Sequence, residues 1–231
     1  MLKFDDNIAH IGGWLTKEEG LFLYESAKRL SKEDVIIEIG SWKGRSTICF
    51  GMGTRDGNGA IIYAIDPHKG SSEHIKRFGR IDTYNEFLCN IKAAGIEKFV
   101  IPIKNTSEEA VKSFSQKVSF ILVDGAHEYG FVKKDYNFWF PKIVNGGIIV
   151  FHDSWGAPGV HFLTALILFT STKVRKPRLL DTITIMEKVE RNSLVDRGYN
   201  ILFVFYRLFV GWMGTIKMDN LSQGLKTLLL F

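Results

Sequence analysis

The stretch that decides the fold is Val118-Ser-Phe-Ile-Leu-Val123-Asp124-Gly125-Ala126-His127-Glu128-Tyr129, completed by Ile148-Ile-Val-Phe151-His152-Asp153. Val118–Val123 reads as a buried strand, Glu128–Phe140 as a helix that Pro141 helps to end, and Ile148–Phe151 as the next strand, with Asn145-Gly146-Gly147 as the turn before it. Working outward, the same strand–helix alternation recurs. Val35–Ile39, Ile61–Ile65 and Phe99–Ile103 are further short β-branched runs. Between them the pattern predicts helices from about Arg45 to Met52, over Thr83–Ala94 with Gly95 at its stop, and from Thr106 onward, where Glu109 completes a capping pattern. A first helix is predicted after Thr16, capped by Glu19, with Gly20, Leu23, Ala27 and Leu30 on one face.

Five largely apolar runs, each followed by a helix, predict an α/β fold. Its sheet is parallel, doubly wound and covered on both faces. In such sheets ligands bind beyond the carboxyl ends of the strands, where strand order reverses. The strand ends are therefore where chemistry is expected.

The first strand end reads Glu38-Ile-Gly40-Ser41-Trp42-Lys43-Gly44-Arg45-Ser46. Two glycines four apart allow a tight turn and a close backbone approach to a ligand, or simply a packing turn. It is neither G-x-G-x-x-G nor a P-loop. Asp66 ends the second strand, where a carboxylate can accept ribose hydroxyls. Together the two mark an adenosine site.

Asp124 leaves the fourth strand and His152-Asp153 the fifth. If those strands are neighbours, the three side chains converge, and crowded carboxylates call for a cation or a proton between them. Oxygen ligands suit magnesium; the imidazole keeps manganese, iron or zinc open. The alternative is that Asp124 and Asp153 cap helices or turns. His127, three residues past Asp124, stands at the rim of the same site, as a general base or as a residue that hydrogen-bonds the fifth-strand loop and orders it. Tyr129 and Asp135 are expected to support loop and helix.

Taken together, Glu38-x-Gly40-x-x-x-Gly44, Ile65-Asp66-Pro67-His68, Val123-Asp124-Gly125-Ala126-His127-x-Tyr129 and Gly146-Gly147-x-x-x-x-His152-Asp153-x-Trp155 resemble the class I S-adenosylmethionine-dependent methyltransferases. The nearer resemblance is to the small-molecule and sugar group that includes macrocin O-methyltransferase and cephalosporin-hydroxylase-like proteins. It covers roughly residues 14–190 and implies a Rossmann-like, mostly parallel sheet of seven strands. The last two strands would come from about 174–189, one of them antiparallel. It also implies that Glu38, Gly40, Ser41 and Gly44 hold the methionine end of S-adenosyl-L-methionine and Asp66 its ribose. Ser107 would lie near the adenine, and Asp124 would serve cofactor and chemistry alike. Asp124, His152 and Asp153 match the acidic metal-ligand trio of metal-dependent O-methyltransferases, with His in the middle position, so that Mg2+ or another divalent ion is implied. His127 matches the position of a catalytic lysine in the catechol-type enzymes. The expected activity is O-methylation of a hydroxyl on a sugar, glycan intermediate or other small molecule. The rivals are a metal-dependent hydrolase or oxygenase on the same frame and a non-catalytic cofactor-binding accessory protein.

Composition sets the outer limits. The 231 residues are 45% hydrophobic and 13% aromatic with a net charge of +5, which excludes disorder as the main state. Residues 1–169 hold 20 Lys and Arg against 20 Asp and Glu, whereas residues 170–231 hold 10 against 5. A neutral body with a basic end argues against a dedicated nucleic-acid binder. The start lacks a signal-peptide run, and Cys49 and Cys89 read as reduced core residues, so a cytoplasmic protein is expected. The organisation expected is a catalytic domain over 1–190 and an apolar helical extension over 191–231. Tyr199–Ile216, interrupted by Arg207, Gly211 and Gly214, reads as a core, lid or homo-oligomer helix. Contact with a membrane surface through 199–217 comes next, and a full span last. Pro158–Thr170 is expected to form a covering helix in which His161 is packing. The basic loop of His68, Lys69, His74, Lys76, Arg77 and Arg80 is expected to meet an anionic substrate or to stay solvated.

Overall fold

The structure, a computed structural model, describes residues 4, 8–70, 75 and 79–215. His74, Lys76, Arg77 and the end of the chain from 216 lie outside the described residues.

Among the described residues, seven strands and seven α-helices follow in the order α1 (Lys17–Arg29), β1 (Val35–Ile39), α2 (Arg45–Asp56), β2 (Ile61–Ile65), α3 (Tyr84–Ala93), β3 (Val100–Ile103), α4 (Ser107–Ser113), β4 (Val118–Val123), α5 (Tyr129–Trp139), β5 (Ile143–Phe151), α6 (Pro158–Thr170), β6 (Val174–Leu180), β7 (Ile183–Lys188) and α7 (Leu194–Thr215). The sheet order is β3-β2-β1-β4-β5-β7-β6. β1 to β5 pair in parallel and β7 runs antiparallel to both its neighbours. Strand order therefore reverses between β1 and β4, which opens a crevice above their carboxyl ends.

Every residue of β1 is buried because helices cover both faces. One core cluster joins Leu23, Phe50, Ile36 and Phe120 beneath α1 and α2; the other joins Ile37, Ile121, Trp139, Phe151 and Leu163 beneath α5 and α6. Thr16 and Glu19 form the expected reciprocal cap of α1. α2 runs past Met52 to Asp56, because Gly53 lies against α1: a Cβ there would stand 2.2 Å from the Tyr24 carbonyl oxygen.

Four expectations are corrected. Asn145-Gly146-Gly147 is no turn before β5 but part of it, with a register shift opposite Val118–Phe120 and Gly146 at φ 83°. Cys49 is buried as expected, whereas Cys89 is exposed on α3. His68 does not belong to a solvated loop: it is buried, its Nδ1 2.9 Å from Thr83 Oγ1. His161 does more than pack, since its Nδ1 lies 2.9 Å from a guanidinium nitrogen of Arg207. α7 lays Phe203 and Val204 into the second core cluster. Among the described residues, no helix is long and apolar enough to cross a membrane.

Candidate active site

The register of the parallel strands lines up the site. Ile39 pairs with Ile65 and Val123, Ile65 with Ile103, and Val123 with Phe151. Gly40, Asp66, Asp124 and His152 are thus the residues that follow those strands in one row. Their amides extend the ladder: Gly40 donates to Ile65 (2.8 Å), Asp66 to Ile103 (3.1 Å), Asp124 to Ile39 (2.8 Å) and His152 to Val123 (3.0 Å). Sheet pairing alone therefore delivers four residues from distant parts of the sequence to one edge.

Gly40 takes φ 90°, and a Cβ on it would fall 2.0 Å from the Asp124 carbonyl oxygen. Only glycine fits between β1 and β4 at this point. Asp66 is fixed by two backbone amides, Oδ2 accepting from Trp42 at 2.7 Å and Oδ1 from His68 at 2.6 Å.

Above the row lies a cavity of about 560 Å³, lined among others by Gly40, Ser41, Asp66, Ser107, Asp124, His127, Asp135, His152 and Asp153. Glu38 and Gly44 do not line it. Glu38 is fully enclosed behind the glycine turn, hydrogen-bonded by Thr47, and burial pushes its carboxyl up to about 8, with Asp124 and Asp66 adding to the effect against the hydroxyls of Ser46 and Thr47. Gly44, at φ 91°, caps α2 against Phe87. Ser107 accepts the Trp139 indole N–H at 2.8 Å. Beside it Asp135 is buried enough to bring its carboxyl up to about 6, against the Ser107 hydroxyl that favours the anion.

The Asp124, His152 and Asp153 donor atoms lie within 4.8 Å of one another. His152, 2% exposed, has Nδ1 3.1 Å from Asp124 Oδ1 and 3.2 Å from Asp153 Oδ2, and Nε2 3.4 Å from Glu19 Oε2. Burial disfavours a charged ring, but the carboxylates overcome it and hold His152 well above the ordinary imidazole range. Asp153, at φ 51°, turns its side chain back over the row. His127 Nε2 lies 3.3 Å from Asp153 Oδ2, and the two imidazoles hold the Asp153 carboxyl well below its usual value.

Two features were not evident from sequence. Glu19, the capping residue of α1, backs His152 while its other oxygen accepts from the Thr182 amide (2.8 Å) and hydroxyl (2.7 Å). The second is a wall made of Gly12, Gly13, Trp14 and Leu15 with Trp42 and Phe131. Trp14, half exposed, and Trp42 stand 6.4 Å apart at 44°. A tryptophan beside a double glycine just ahead of a capping box was the available signal.

A doubly wound seven-stranded sheet, a glycine turn and an acidic β2 end meeting at the reversal point define the class I S-adenosylmethionine-dependent methyltransferase architecture. The profile of a family described as a methyltransferase domain matches residues 37–154, half of the chain, and the chain belongs to that family. An uncharacterised protein of Sinorhizobium fredii is 29% identical over 121 residues, which are 52% of this chain and 13% of that protein. The chain thus spans a small part of that relative's length. Among solved structures, the O-methyltransferase TomG of Streptomyces achromogenes, in complex with S-adenosylmethionine, superposes with a TM-score of 0.57 at 13% identity, covering 80% of this chain and 85% of that one. The S-adenosylhomocysteine-bound methyltransferase PaMTH1 of Podospora anserina gives 0.57 at 18% identity, covering 82% and 83%. These likenesses are of fold.

Proposed function

We propose that this chain is an S-adenosylmethionine-dependent O-methyltransferase acting on a hydroxyl of a small molecule, with a sugar or glycan intermediate as the acceptor class. The observation that carries the reading is the row Gly40–Asp66–Asp124–His152, which opens the glycine turn, the ribose-type carboxylate and the metal-type trio into one cavity.

The residues fit the cofactor. Gly40 lets the turn pass tight against the Asp124 backbone at the wall of the cavity, and the buried Ser41 Oγ beside it has no hydrogen-bond partner. Gly40 and Ser41 would hold the methionine end, and Asp66, already fixed through two amides, the ribose. Ser107 and Asp135 stand where the far end of the cofactor would reach. The cofactor supplies the methyl group as a sulfonium, a cation suited to a cavity lined by Asp66, Asp124, Asp135 and Asp153. Glu38 acts from behind, shaping the turn through Thr47.

The donor set also fits a divalent ion, magnesium first: two carboxylates and an imidazole whose donor atoms lie within 4.8 Å of one another. Such an ion, held by Asp124, His152 and Asp153, would supply Lewis acidity that makes an acceptor hydroxyl easier to deprotonate. His127, its Nε2 3.3 Å from Asp153 Oδ2, would serve as the general base that takes the hydroxyl proton. Most of the acceleration would come from positioning acceptor and donor in line.

The test is calorimetric titration of S-adenosylmethionine into the full chain, first with EDTA and then with magnesium, alongside Asp66→Ala and Asp153→Ala. Binding that is lost in Asp66→Ala, and a magnesium signal that is lost in Asp153→Ala, are the expected results. Absence of cofactor binding in every condition would sink the methyltransferase reading.

A further inference from the structure

Helix α7 buries two polar side chains beside Phe203 and Val204: Asn200 is fully buried and donates to the Val174 carbonyl at 2.9 Å, and Arg207, 1% exposed, donates to Thr164 Oγ1 at 2.8 Å and to the Ser154 carbonyl. Its solvent face carries Leu194, Leu202, Phe205 and Leu208, each more than half exposed. Steps of three residues from Leu202 to Leu208 keep these on one side of the helix. The neighbouring α6, joined to α7 through Thr164, His161 and Arg207, adds Phe162, Leu166 and Phe169 at i, i+4 and i+7. Two adjoining helices with outer faces this apolar, one of them with its Arg207 buried, make a surface built to be covered.

Charge indicates the occupant. The whole +5 excess of the chain lies in residues 170–231, and no Asp or Glu occurs between Asp196 and Asp219. Exposed Lys173 and Arg191 stand where α7 begins, brought together as Asn192 donates to Thr172 (2.7 Å) and Val189 to Lys173 (2.9 Å). Asp196 at that end is engaged by Ser193. A second copy of the chain would bring the same positive excess against itself, whereas an anionic surface neutralises it.

We propose that the outer face of α7, with the exposed residues of α6, docks on an anionic lipid surface and lies in the plane of the headgroups. The inference stands apart from the methyltransferase reading.

The test is flotation of the full chain with phosphatidylcholine vesicles and with mixed phosphatidylcholine–phosphatidylglycerol vesicles. The chain is expected to float with the anionic vesicles. L202E/F205E, which changes two exposed positions and keeps the unfolding midpoint, lowers the bound fraction by about tenfold, and K173E/R191E weakens binding to the anionic vesicles. A wild-type chain that floats with neither vesicle overturns the proposal. A dimer in light scattering that L202E/F205E splits would then assign the face to a second copy, and a monomer would leave it without a lipid role.

Discussion

Arg207 and His161 are joined across the α6–α7 interface, a guanidinium nitrogen 2.9 Å from Nδ1, and among the described residues no carboxylate accompanies them. Nδ1 also lies 3.2 Å from the Ser154 carbonyl oxygen, which the guanidinium engages as well. Burial, and then the charge of Arg207, hold His161 below its ordinary pKa. A histidine lowered in the folded state binds fewer protons than in the unfolded chain, so stability falls as pH drops below about 6.5. Arg207→Met should make that acid loss shallower, because one of the two causes is removed. Arg207→Ala should cost about 2–4 kcal/mol at neutral pH, through the cavity and the released Ser154 carbonyl. Urea denaturation across pH reads both.

Glu19 answers to the opposite sign. Burial would raise its carboxyl, but His152, the Thr16 amide and Thr182 overcome this and bring it down to about 2 from 4.5. Its contribution is complete above pH 4.5 and is lost as pH falls through about 2. Glu19→Gln should cost about 2–3 kcal/mol at neutral pH and flatten the stability curve on that acid limb. An unchanged curve would mean that the contact with His152 carries no weight.

Gly40→Ala should be among the most damaging single changes in the chain. The new methyl would overlap the Asp124 carbonyl, with backbone on both sides and φ in the left-handed region. A loss of about 3–5 kcal/mol, or insoluble protein, is expected. A stably folded Gly40→Ala protein would show that β1 and β4 can separate at their ends.

Asp135 carries a cost in the unliganded protein. Its carboxyl, raised to about 6 by burial, makes the folded state lose stability as pH rises from 3.8 to about 6. Asp135→Asn should therefore raise the unfolding free energy at pH 7 by about 1–3 kcal/mol. Weaker cofactor binding by the same variant would show that the carboxylate is retained for the ligand.

The sheet was legible because its strands are buried on both sides, so that runs such as Val35–Ile39 and Val118–Val123 are short, β-branched and almost wholly apolar. β5 was read short because Asn-Gly-Gly is turn chemistry, whereas here it forms a bulge inside a strand. The metal-type trio was legible because each member directly follows a strand or lies one residue beyond it. What escaped were residues whose partners are remote in the chain. Glu19 was read as a cap and nothing in its neighbourhood pointed to His152. Arg207 read as a break in an apolar stretch, and only packing shows that it turns inward. Tertiary partners leave no periodic trace.

The ties from Glu19 to Thr182 span 163 residues, and the same carboxylate backs the histidine of the site. During synthesis, the α1 helix, the glycine turn and β4 all exist before the β6–β7 corner has been made. Until that corner arrives, Glu19 lacks two of its donors and His152 lacks a fixed neighbour. The site is thus among the last features that the chain can complete, and a nascent or truncated product ending before residue 182 would carry every motif residue yet lack both Thr182 donors to Glu19.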